Sequence, residues 1–348
     1  MPSISEIDKN FKVETKIEKV GMKFHDVLSA PFKIHGVFYD DGKFRRIPCE
    51  TARSVSPGVY ALHANTAGGR VRFVTDSPYV AINAAMSNIN KMSHFTLCGS
   101  GGFDLYADNE YVGTYIPPYC MTEGYEGIIE FKTRKLREIT INFPLYSDTN
   151  SLYIGLDENA YLSEPTPYEV EVPIVYYGSS ITQGGCASRP GTAYQSIVSR
   201  EVNADFINLG FSGGARAESN IIDYIKSLPM SVFVFDYDHN APSVEFLAAT
   251  HERAFLDVRR ANPELPIVMM SMPKYPLTSV EKARLRVIKT TYNNALANGD
   301  KNVYLIDGRA LMKRANGDGT VDGCHPNDIG FFCMAKALIP LLKKILNH

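Results

Sequence analysis

The chain carries a serine, a histidine and an acid in an arrangement that can perform acyl chemistry. Ser180 stands in the glycine-flanked segment 178–184, Gly-Ser-Ser-Ile-Thr-Gln-Gly, directly after an apolar run. Asp322 lies three residues before His325, close enough to orient one ring nitrogen while the other faces elsewhere. An imidazole held in this way can activate a hydroxyl for attack on a carbonyl. These residues therefore predict acyl-group hydrolysis by a Ser-His-Asp triad.

Two further segments offer donors for the negative oxygen that develops in such a reaction. Gly213 lies in the glycine-rich segment 210–214, between a predicted strand and a predicted helix, where backbone N–H groups point outward. Asn240 offers a side-chain amide near the end of the next predicted strand. Each fixed donor contributes on the order of 3 kcal/mol. The predicted oxyanion hole is therefore the N–H of Ser180, the N–H of Gly213 and the amide of Asn240.

Five short apolar segments alternate with predicted helices in the second half of the chain. The predicted strands cover 172–177, 205–209, 231–236, 266–271 and 302–306, and the predicted helices cover 192–202, 217–226, 244–260, 278–297 and 327–346. Strands that are apolar throughout are typical of a parallel sheet covered on both faces. The predicted fold class is therefore α/β, with a three-layer α/β/α domain and a five-stranded parallel sheet. Ligands bind at the carboxyl ends of such strands, where all the candidate residues fall.

The first half of the chain, about 24–162, has the two-residue rhythm of antiparallel strands. Residues 139–143, for example, alternate apolar and polar side chains. The glycines of segment 99–102 and the sequence Asp-Asn-Glu at 108–110 predict hairpin turns between strands. This half is therefore predicted to be an antiparallel β-sandwich.

The boundary between the two halves is marked by a change in composition. Residues 163–168 read Ser-Glu-Pro-Thr-Pro-Tyr, and clustered prolines between two different rhythms indicate a connecting segment. We therefore predict two domains. The N-terminal β-sandwich covers residues 1–165, and the catalytic α/β/α domain covers residues 166–348.

The motifs of the second half resemble those of a known enzyme family. Segment 178–184 resembles the first block of the SGNH (GDSL-type) hydrolases, with Ser180 in the nucleophile position. Gly213 matches the glycine of the second block, Asn240 the asparagine of the third, and segment 322–325 the D-x-x-H of the fifth. The resemblance implies a flavodoxin-like α/β/α fold and a serine esterase mechanism.

A second likeness extends this resemblance over nearly the whole chain. Segment 102–106, Gly-Phe-Asp-Leu-Tyr, is similar to the G-x-D-L-Y motif of a β-rich domain that precedes the hydrolase domain in one bacterial branch of the family. We expect the sandwich to pack beside the strand ends and to shape the pocket, with Asp104 and Tyr106 near the junction. A structural role and a contact with substrate are both open for these two residues.

Two positions depart from the family pattern. Ser179 replaces the usual aspartate before the nucleophile, and Asp-Tyr-Asp-His at 236–239 replaces the usual glycine of the third block. Neither change removes a catalytic group. The resulting G-x-S-x-T-x-G form resembles carbohydrate esterase-like members, which implies short-chain ester substrates, especially O-acetyl groups on sugars.

A second serine fits a different hydrolase motif. Gly-x-Ser-x-Gly at 210–214 matches the nucleophile elbow of α/β-hydrolases, and Ser212, Asp307 and His325 follow the chain order of that fold. Only one predicted α/β strand, 172–177, comes before the strand that leads into this segment, whereas the strand before the elbow normally follows several. Ser180 is therefore the preferred nucleophile.

No motif for a metal or a nucleotide accompanies these residues. Asp236, Asp238, His239 and His325 have side chains that suit divalent ions, but no H-E-x-x-H or repeated histidine spacing supports such a site. The chain also lacks the glycine-rich phosphate loops of nucleotide-binding folds. We therefore expect neither a cofactor nor a metal, and His239 is expected to be a local structural or pocket residue.

The charge balance indicates a small or neutral partner. The 348 residues include 36 basic and 38 acidic side chains, a formal net charge of −2, with no long block of either sign. Such a surface gives no electrostatic attraction for nucleic acid or for a membrane. A small-molecule or oligosaccharide ester is the expected partner, and the sequence does not define the oligomeric state.

The compartment is predicted from the N-terminus and the cysteines. Segment 1–23 lacks the apolar core and cleavage site of a secretion signal. The cysteines form no C-x-x-C pair and no Cys/His cluster, and they are Cys49, Cys98, Cys120, Cys186, Cys324 and Cys333. We expect a cytoplasmic protein with reduced thiols. If a leader has been lost, an exported protein with one or two disulfides is the alternative.

Together these patterns predict a serine esterase that hydrolyses short-chain esters, with O-acetyl groups on carbohydrate as the implied substrate. An acyltransferase would use the same residues but pass the acyl group to an alcohol instead of water. A carbohydrate-binding protein with an inactive hydrolase domain is the third alternative, and the intact set of Ser180, Asp322 and His325 argues against it.

Overall fold

The computed structural model of the protein describes residues 15–347. Residues 1–14 of the predicted N-terminal domain, and with them most of the segment used to predict the compartment, lie outside the described residues. Across residues 15–347, no helix combines the length and the hydropathy that a membrane crossing requires.

Antiparallel strands make up most of the first half of the chain. They are β1 (Met22–Asp26), β2 (Lys33–His35), β3 (Phe38–Asp40), β4 (Lys43–Arg45), β5 (Arg70–Thr75), β6 (Tyr79–Ser87), β7 (Phe103–Ala107), β8 (Glu110–Tyr115), β9 (Gly124–Glu130), β10 (Arg137–Asn142), β11 (Asp148–Asp157) and β12 (Leu162–Ser163). Short helices stand between some of them, namely α1 (Cys49–Val55), α2 (Pro57–Leu62) and α3 (Leu97–Ser100).

Two antiparallel sheets of this half enclose one apolar core. The first has the strand order β1-β11-β6-β9, and the second has the order β12-β5-β10-β7-β8 with β2 paired to β5. Phe73 and Ile141 of one sheet share a fully buried cluster with Ile82 and Ile154 of the other. Burying each such side chain stabilises the fold by about 1.5–3 kcal/mol. The predicted β-sandwich is confirmed.

The two hairpin predictions in this half have different outcomes. Asp108 and Asn109 have φ angles of 52° and 66° and join β7 to β8 in an antiparallel pair, as predicted. The prediction for segment 99–102 is wrong, because these residues complete helix α3 and lead into β7. A Cβ on Gly99 would collide with the carbonyl oxygen of Ala187. The glycine is therefore needed for close approach of two backbones and not for a hairpin.

The second half of the chain forms a parallel sheet with helices around it. Its strands are β13 (Val170–Gly178), β14 (Ala204–Gly210), β15 (Val232–Asp236), β16 (Ile267–Met270) and β17 (Val303–Ile306), in the sheet order β14-β13-β15-β16-β17. Its helices are α4 (Ser180–Gln183), α5 (Tyr194–Val202), α6 (Ser219–Ser227), α7 (Val244–Ala261), α8 (Ser279–Ala297), α9 (Gly308–Met312) and α10 (Asp328–Leu346), with 3₁₀ turns at Pro190–Thr192 and Lys313–Ala315. The predicted fold class is confirmed.

The apolar run of β13 is explained by burial on both faces of this sheet. Ile174 and Tyr176 belong to the core beneath α5 and α10, whereas Val175 and Tyr177 belong to the core beneath α6, α7 and α8. All four side chains are fully buried. Neighbouring residues of a strand face opposite sides, so a strand between two helical layers needs an apolar residue at every position.

Three neighbouring strands of the parallel sheet end at the same level. Gly178, the last residue of β13, is paired with Gly210 at the end of β14 and with Asp236 at the end of β15. The loops that carry Ser180 and Gly213 therefore leave the sheet side by side. This register brings the predicted site residues to one edge of the sheet.

Residues of the Gly-Phe-Asp-Leu-Tyr motif hold the two halves together. Asp104 is fully buried and accepts hydrogen bonds from Asn142 Nδ2 at 2.8 Å, Arg189 Nη1 at 2.9 Å and the Gly191 N–H at 2.8 Å. Tyr106 accepts a hydrogen bond from the same arginine at 2.6 Å. Because Arg189 and Gly191 belong to the second half, the motif forms a clamp at the junction.

Replacing Asp104 by alanine should lower the free energy of unfolding by about 3–5 kcal/mol, because Arg189 would lose its buried carboxylate partner. Urea denaturation of the full chain would measure this. The matched control is Glu201→Ala, which removes an exposed ion pair with Lys336 and should cost less than about 1 kcal/mol. Equal losses in the two variants would contradict the clamp.

Candidate active site

Ser180 opens the one-turn helix α4 directly beyond β13. The Ser179 side chain caps this helix by accepting a 3.2 Å hydrogen bond from the N–H of Ile181. A Cβ on Gly178 would collide with Thr182 Oγ1, so only glycine allows the chain to turn so closely after the strand. The turn leaves Ser180 partly exposed. Ser179, the position that departs from the resembled motif, thus supplies the helix cap.

The three predicted triad residues form one hydrogen-bonded chain. Ser180 Oγ lies 3.0 Å from His325 Nε2, and Nδ1 of the same ring lies 2.7 Å from Asp322 Oδ2. The other carboxylate oxygen of Asp322 accepts the backbone N–H groups of His325 at 2.7 Å and Cys324 at 2.9 Å. This geometry suits a nucleophile, a base and a group that orients the base.

The charge of Asp322 fixes the state of the imidazole. Partial burial acts to raise the pKa of this carboxyl, but the hydrogen bonds from His325 and from the Cys324 N–H outweigh it and lower the pKa to about 2. The carboxylate is therefore negative at any ordinary pH. It holds a proton on Nδ1 of His325, so that Nε2 faces Ser180 as an acceptor.

The loop that carries the histidine is closed by its own hydrogen bonds. The N–H of Val321 donates to the carbonyl of His325 at 2.9 Å, and the N–H of Asn327 donates to the carbonyl of Gly319 at 3.0 Å. The Asn327 side chain also caps α10 through the N–H of Gly330 at 3.1 Å. The imidazole is thus held between a closed loop and the start of a long helix.

The predicted oxyanion donors lie on the loops beyond the three level strand ends. Asn240 Nδ2 donates to the Phe211 carbonyl at 2.9 Å, which ties its loop to the Gly213 loop and leaves one amide hydrogen for another acceptor. Gly213 has a φ of 66° and is exposed. Among residues 15–347, neither its N–H nor that of Ser180 has an acceptor. These groups can therefore donate to a substrate oxygen.

The alternative triad built on Ser212 is not assembled. The N–H of Ser212 donates to Gln183 Oε1 at 3.0 Å, while both ring nitrogens of His325 are occupied by the residues described above. Asp307, the alternative acid, instead accepts from Arg309 Nη2 at 2.6 Å. Ser212 therefore joins α4 to the Gly213 loop and lacks a catalytic histidine.

Two buried carboxyls lie just before Asn240. Asp236 accepts from Thr182 Oγ1 at 2.9 Å, and Asp238 accepts from the N–H of Met272 at 2.9 Å. Burial, and the neighbouring Asp238, raise the pKa of Asp236 to about 7, and burial raises the pKa of Asp238 to about 6. The two side chains thus hold the backbone segment that leads to Asn240.

His239 packs among other residues of the fold and does not share a metal-binding centre with Asp236 and Asp238. Its Nδ1 lies 3.9 Å from Cys324 Sγ, and burial, assisted by the nearby His325, lowers its pKa to about 3. The ring is therefore neutral and packs behind the histidine loop. The residues weighed as metal ligands each contact a different partner, and they are Asp236, Asp238, His239 and His325.

Sequence reasoning missed two supporting residues from the N-terminal half. Tyr146 donates its hydroxyl hydrogen to the carbonyl oxygen of Ser180 at 3.1 Å. The buried Arg46 donates to the carbonyl of Gly210 at 2.5 Å and lies over the ring of Phe211 at 4.6 Å. No motif marks either residue, because both partners are distant along the chain.

Family models match both halves of the protein. The GDSL-like Lipase/Acylhydrolase family matches residues 171–343, and the N-terminus of Esterase_SGNH_hydro-type matches residues 22–162. The chain belongs to the GDSL-like lipase/acylhydrolase family. It is accordingly an ester hydrolase, as the sequence motifs predicted.

Solved structures similar to this GDSL-family chain extend over nearly its whole length. A GDSL-like lipase from Bacteroides ovatus aligns with a TM-score of 0.84 and 27% identity, over 94% of this chain and 98% of its own. The salicylyl-acyltransferase SsfX3 from a tetracycline biosynthetic pathway aligns with a TM-score of 0.80 and 18% identity. A family two carbohydrate esterase from Cellvibrio japonicus aligns with a TM-score of 0.64 and 13% identity. Both alignments cover 94% of this chain and 98% of the other. The last two share the fold. No curated protein matches the sequence significantly.

The contribution of Asp236 to the stability of this GDSL-family protein should fall as pH rises from 5 to 8. The pKa of an unfolded aspartate is about 3.9, whereas burial raises the pKa of Asp236 to about 7 in the folded protein. The stabilising contribution of this carboxyl is therefore complete below about pH 3.9, the unfolded pKa, and is lost as the pH rises through the folded pKa. Asp236→Asn should therefore lose less stability between pH 5 and 8 than the wild type, as measured by urea denaturation.

The control for this experiment is Asp307→Asn. Its hydrogen bonds, chiefly from Arg309, lower the pKa of Asp307 to about 2, so its ionisation is complete throughout the tested range. In this variant the free energy of unfolding should change between pH 5 and 8 by the same amount as in the wild type. An Asp236→Asn variant with that same difference would show that this carboxyl does not titrate as described.

Proposed function

We propose that this protein is a serine esterase that removes short acyl groups, above all O-acetyl groups, from carbohydrate, with Ser180 as nucleophile. The observation that carries the proposal is the 3.0 Å contact of Ser180 Oγ with His325 Nε2, at a serine that stays partly exposed. A hydroxyl that is both open to substrate and paired with a basic nitrogen can lose its proton as it attacks a carbonyl.

The first half of the reaction forms an acyl-enzyme. His325 Nε2 takes the hydroxyl proton as Ser180 Oγ forms a bond to the ester carbonyl carbon. The imidazolium that results is stabilised by Asp322, whose oxygen lies 2.7 Å from Nδ1. The same Nε2 then returns its proton to the departing alcohol oxygen, and the acyl group stays on the serine.

The second half of the reaction repeats these steps with water. Nε2 of His325 accepts a proton from water as the water oxygen attacks the acyl carbon, and Ser180 regains its hydrogen when the acid leaves. In both halves the carbonyl oxygen becomes negative. The free N–H groups of Ser180 and Gly213 and the spare amide hydrogen of Asn240 are suited to stabilise it.

The substrate class in this proposal is supported by relatives and by charge. The family two carbohydrate esterase from Cellvibrio japonicus and an acetyl xylan esterase from Butyrivibrio proteoclasticus share this fold, at 13% and 12% identity. A net charge of −2 on 348 residues, without charged blocks, also suits a neutral sugar ester better than a charged polymer.

Ser180→Ala should lower kcat for an aryl acetate by at least about 10³-fold, because no other group can form the acyl-enzyme. Ser212→Ala is the matched control, since it removes the same atom from the neighbouring loop and should keep at least about a tenth of the activity if Ser180 is the nucleophile. Initial rates at saturating substrate would measure both. The reverse ranking would assign the nucleophile to Ser212.

Acetylated mono- and oligosaccharides should be hydrolysed with a higher kcat/KM than the corresponding butyryl and octanoyl esters. For each two methylenes added to the acyl chain that the site excludes, kcat/KM should fall by about tenfold or more. Release of free acid would be measured for each ester, with Ser180→Ala as the blank. If aryl acetates are cleaved and acetylated sugars are not, the esterase assignment stands and the carbohydrate part fails.

An acyltransferase is the second candidate, because SsfX3, a salicylyl-acyltransferase, shares this fold with a TM-score of 0.80. Partition of the acyl-enzyme between water and an added sugar alcohol distinguishes the two. An ester product that exceeds free acid would favour transfer. The inactive carbohydrate-binding alternative predicts that an organophosphonate fails to label Ser180, whereas the proposal predicts stoichiometric labelling.

A further inference from the structure

Three metal-ligating side chains converge beside the proposed nucleophile. One donor atom each from His94, Cys186 and His325 lies within 4.8 Å of the other two. His94 is exposed, Cys186 is buried and His325 is partly exposed, so the group is open to solvent on one side. The rings of His94 and His325 have their centroids 5.7 Å apart.

His94 reaches this position from the N-terminal half on a turn that is anchored on both sides. The N–H of Phe95 donates to the carbonyl of Met92 at 3.2 Å, which places His94 within a tight turn. The buried Phe95 ring packs edge-on against Tyr146 at 5.2 Å. Thr96, one residue further, donates to a carbonyl of the second half at 2.6 Å. The turn is therefore fixed against the α/β domain.

Cys186 is tied directly to the loop of the catalytic histidine. Its N–H donates to the carbonyl of Pro326, the residue after His325, at 3.3 Å. Two residues further along, the N–H of Ser188 donates to Asp328 Oδ1 at 2.9 Å. The carbonyl oxygen of Ser188 accepts the hydroxyl hydrogen of Thr96. The three segments that carry the three donor atoms are thus bound to one another before any ion arrives.

We propose that His94, Cys186 and His325 form an inhibitory site for a single ion of the Zn²⁺ class. Zinc takes imidazole nitrogen at about 2.0–2.1 Å and thiolate sulfur at about 2.3 Å, so the donor atoms of these three ligands would be about 3.3–3.6 Å apart in a tetrahedral site. A contraction of about 1 Å meets this requirement, and rotation of the exposed His94 side chain on its anchored turn can supply it. One sulfur and two nitrogens select borderline ions over Mg²⁺ or Ca²⁺, which prefer oxygen.

Binding of the ion involves proton release and no change of oxidation state. The Cys186 thiol gives its proton to solvent and binds as thiolate, each histidine binds through a neutral nitrogen, and water completes the coordination. Nδ1 of His325 is held by Asp322, so Nε2 is the nitrogen that the ion would take. That lone pair is the one that accepts the proton of Ser180. Occupancy of the site and base catalysis are therefore mutually exclusive.

The inhibitory part of this inference rests on the proposed function, whereas the binding part does not. Hydrolysis of an aryl acetate by the full chain would be measured against free Zn²⁺, with Mg²⁺ in parallel and a chelator to reverse the effect. His94→Ala should raise the Zn²⁺ concentration for half-inhibition by about tenfold or more, since even loss of a group that only orients a metal ligand typically costs 10–100-fold in affinity.

Two controls separate the site from general metal sensitivity. Cys120→Ser removes an exposed thiol elsewhere, and His25→Ala removes another histidine of the N-terminal half, so both should keep the wild-type half-inhibition concentration. Cys186→Ser should match His94→Ala in direction. Because Cys186 is buried and its variant could misfold, the exposed His94 decides the outcome. Equal half-inhibition in His94→Ala and wild type would overturn the proposal.

Binding can be read without any catalytic activity. Co²⁺ added to Ser180→Ala should give the thiolate-to-cobalt charge-transfer absorption of a cysteine-bound ion, and Cys186→Ser or His94→Ala in the same background should abolish or weaken it at least about tenfold in affinity. Absence of this band from Ser180→Ala would refute the site. A band without inhibition of the wild type would retain the site but refute its inhibitory role, and with it the base assignment of His325.

Discussion

The level ends of three parallel strands are the constraint on which the rest of the site depends. Gly178 is paired with both Gly210 and Asp236, so the loops beyond these residues start side by side. A slip of one residue in either pairing would displace a loop by about 3.3 Å and turn its side chains to the opposite face. A hydrogen bond tolerates only a few tenths of an ångström, so the nucleophile and the oxyanion donors could not then share a substrate.

The N-terminal sandwich contributes to this edge of the sheet as well as covering it. Tyr146 holds the carbonyl of Ser180, and Arg46 holds the carbonyl of Gly210, so the turn and the neighbouring strand end are both fixed from outside the α/β domain. Burial lowers the pKa of Arg46 to about 9, and hydrogen bonds to backbone carbonyls, including that of Leu62 at 2.7 Å, offset the cost of burying its charge. The site is therefore built by both domains.

Local patterns in the sequence predicted the second half of the fold and the triad, because both depend on short spacings. Predicted strands and long helices differ from the observed bounds by at most two residues. Ser180 was found because Gly178 and Gly184 flank it. Asp322 was found because His325 follows it three residues later. Tyr146 and Arg46 were missed because their contacts cross between domains. Segment 99–102 was predicted to form a hairpin turn, but its first two residues end the helix at 97–100. Gly99 is needed there because the backbone of Ala187 lies against it, and no local pattern in the sequence encodes that contact.

The buried ion pair at the junction constrains how the two halves can change over time. Asp104 comes from the sandwich and Arg189 from the α/β domain, and the fully buried Asp104 would be an uncompensated charge without the arginine. A recombination that brought in a second half without the matching arginine would leave that carboxylate sealed away from water. Chimaeras that inherit both residues together should therefore be more stable than those that separate them, and changes at these two positions are expected to be coupled.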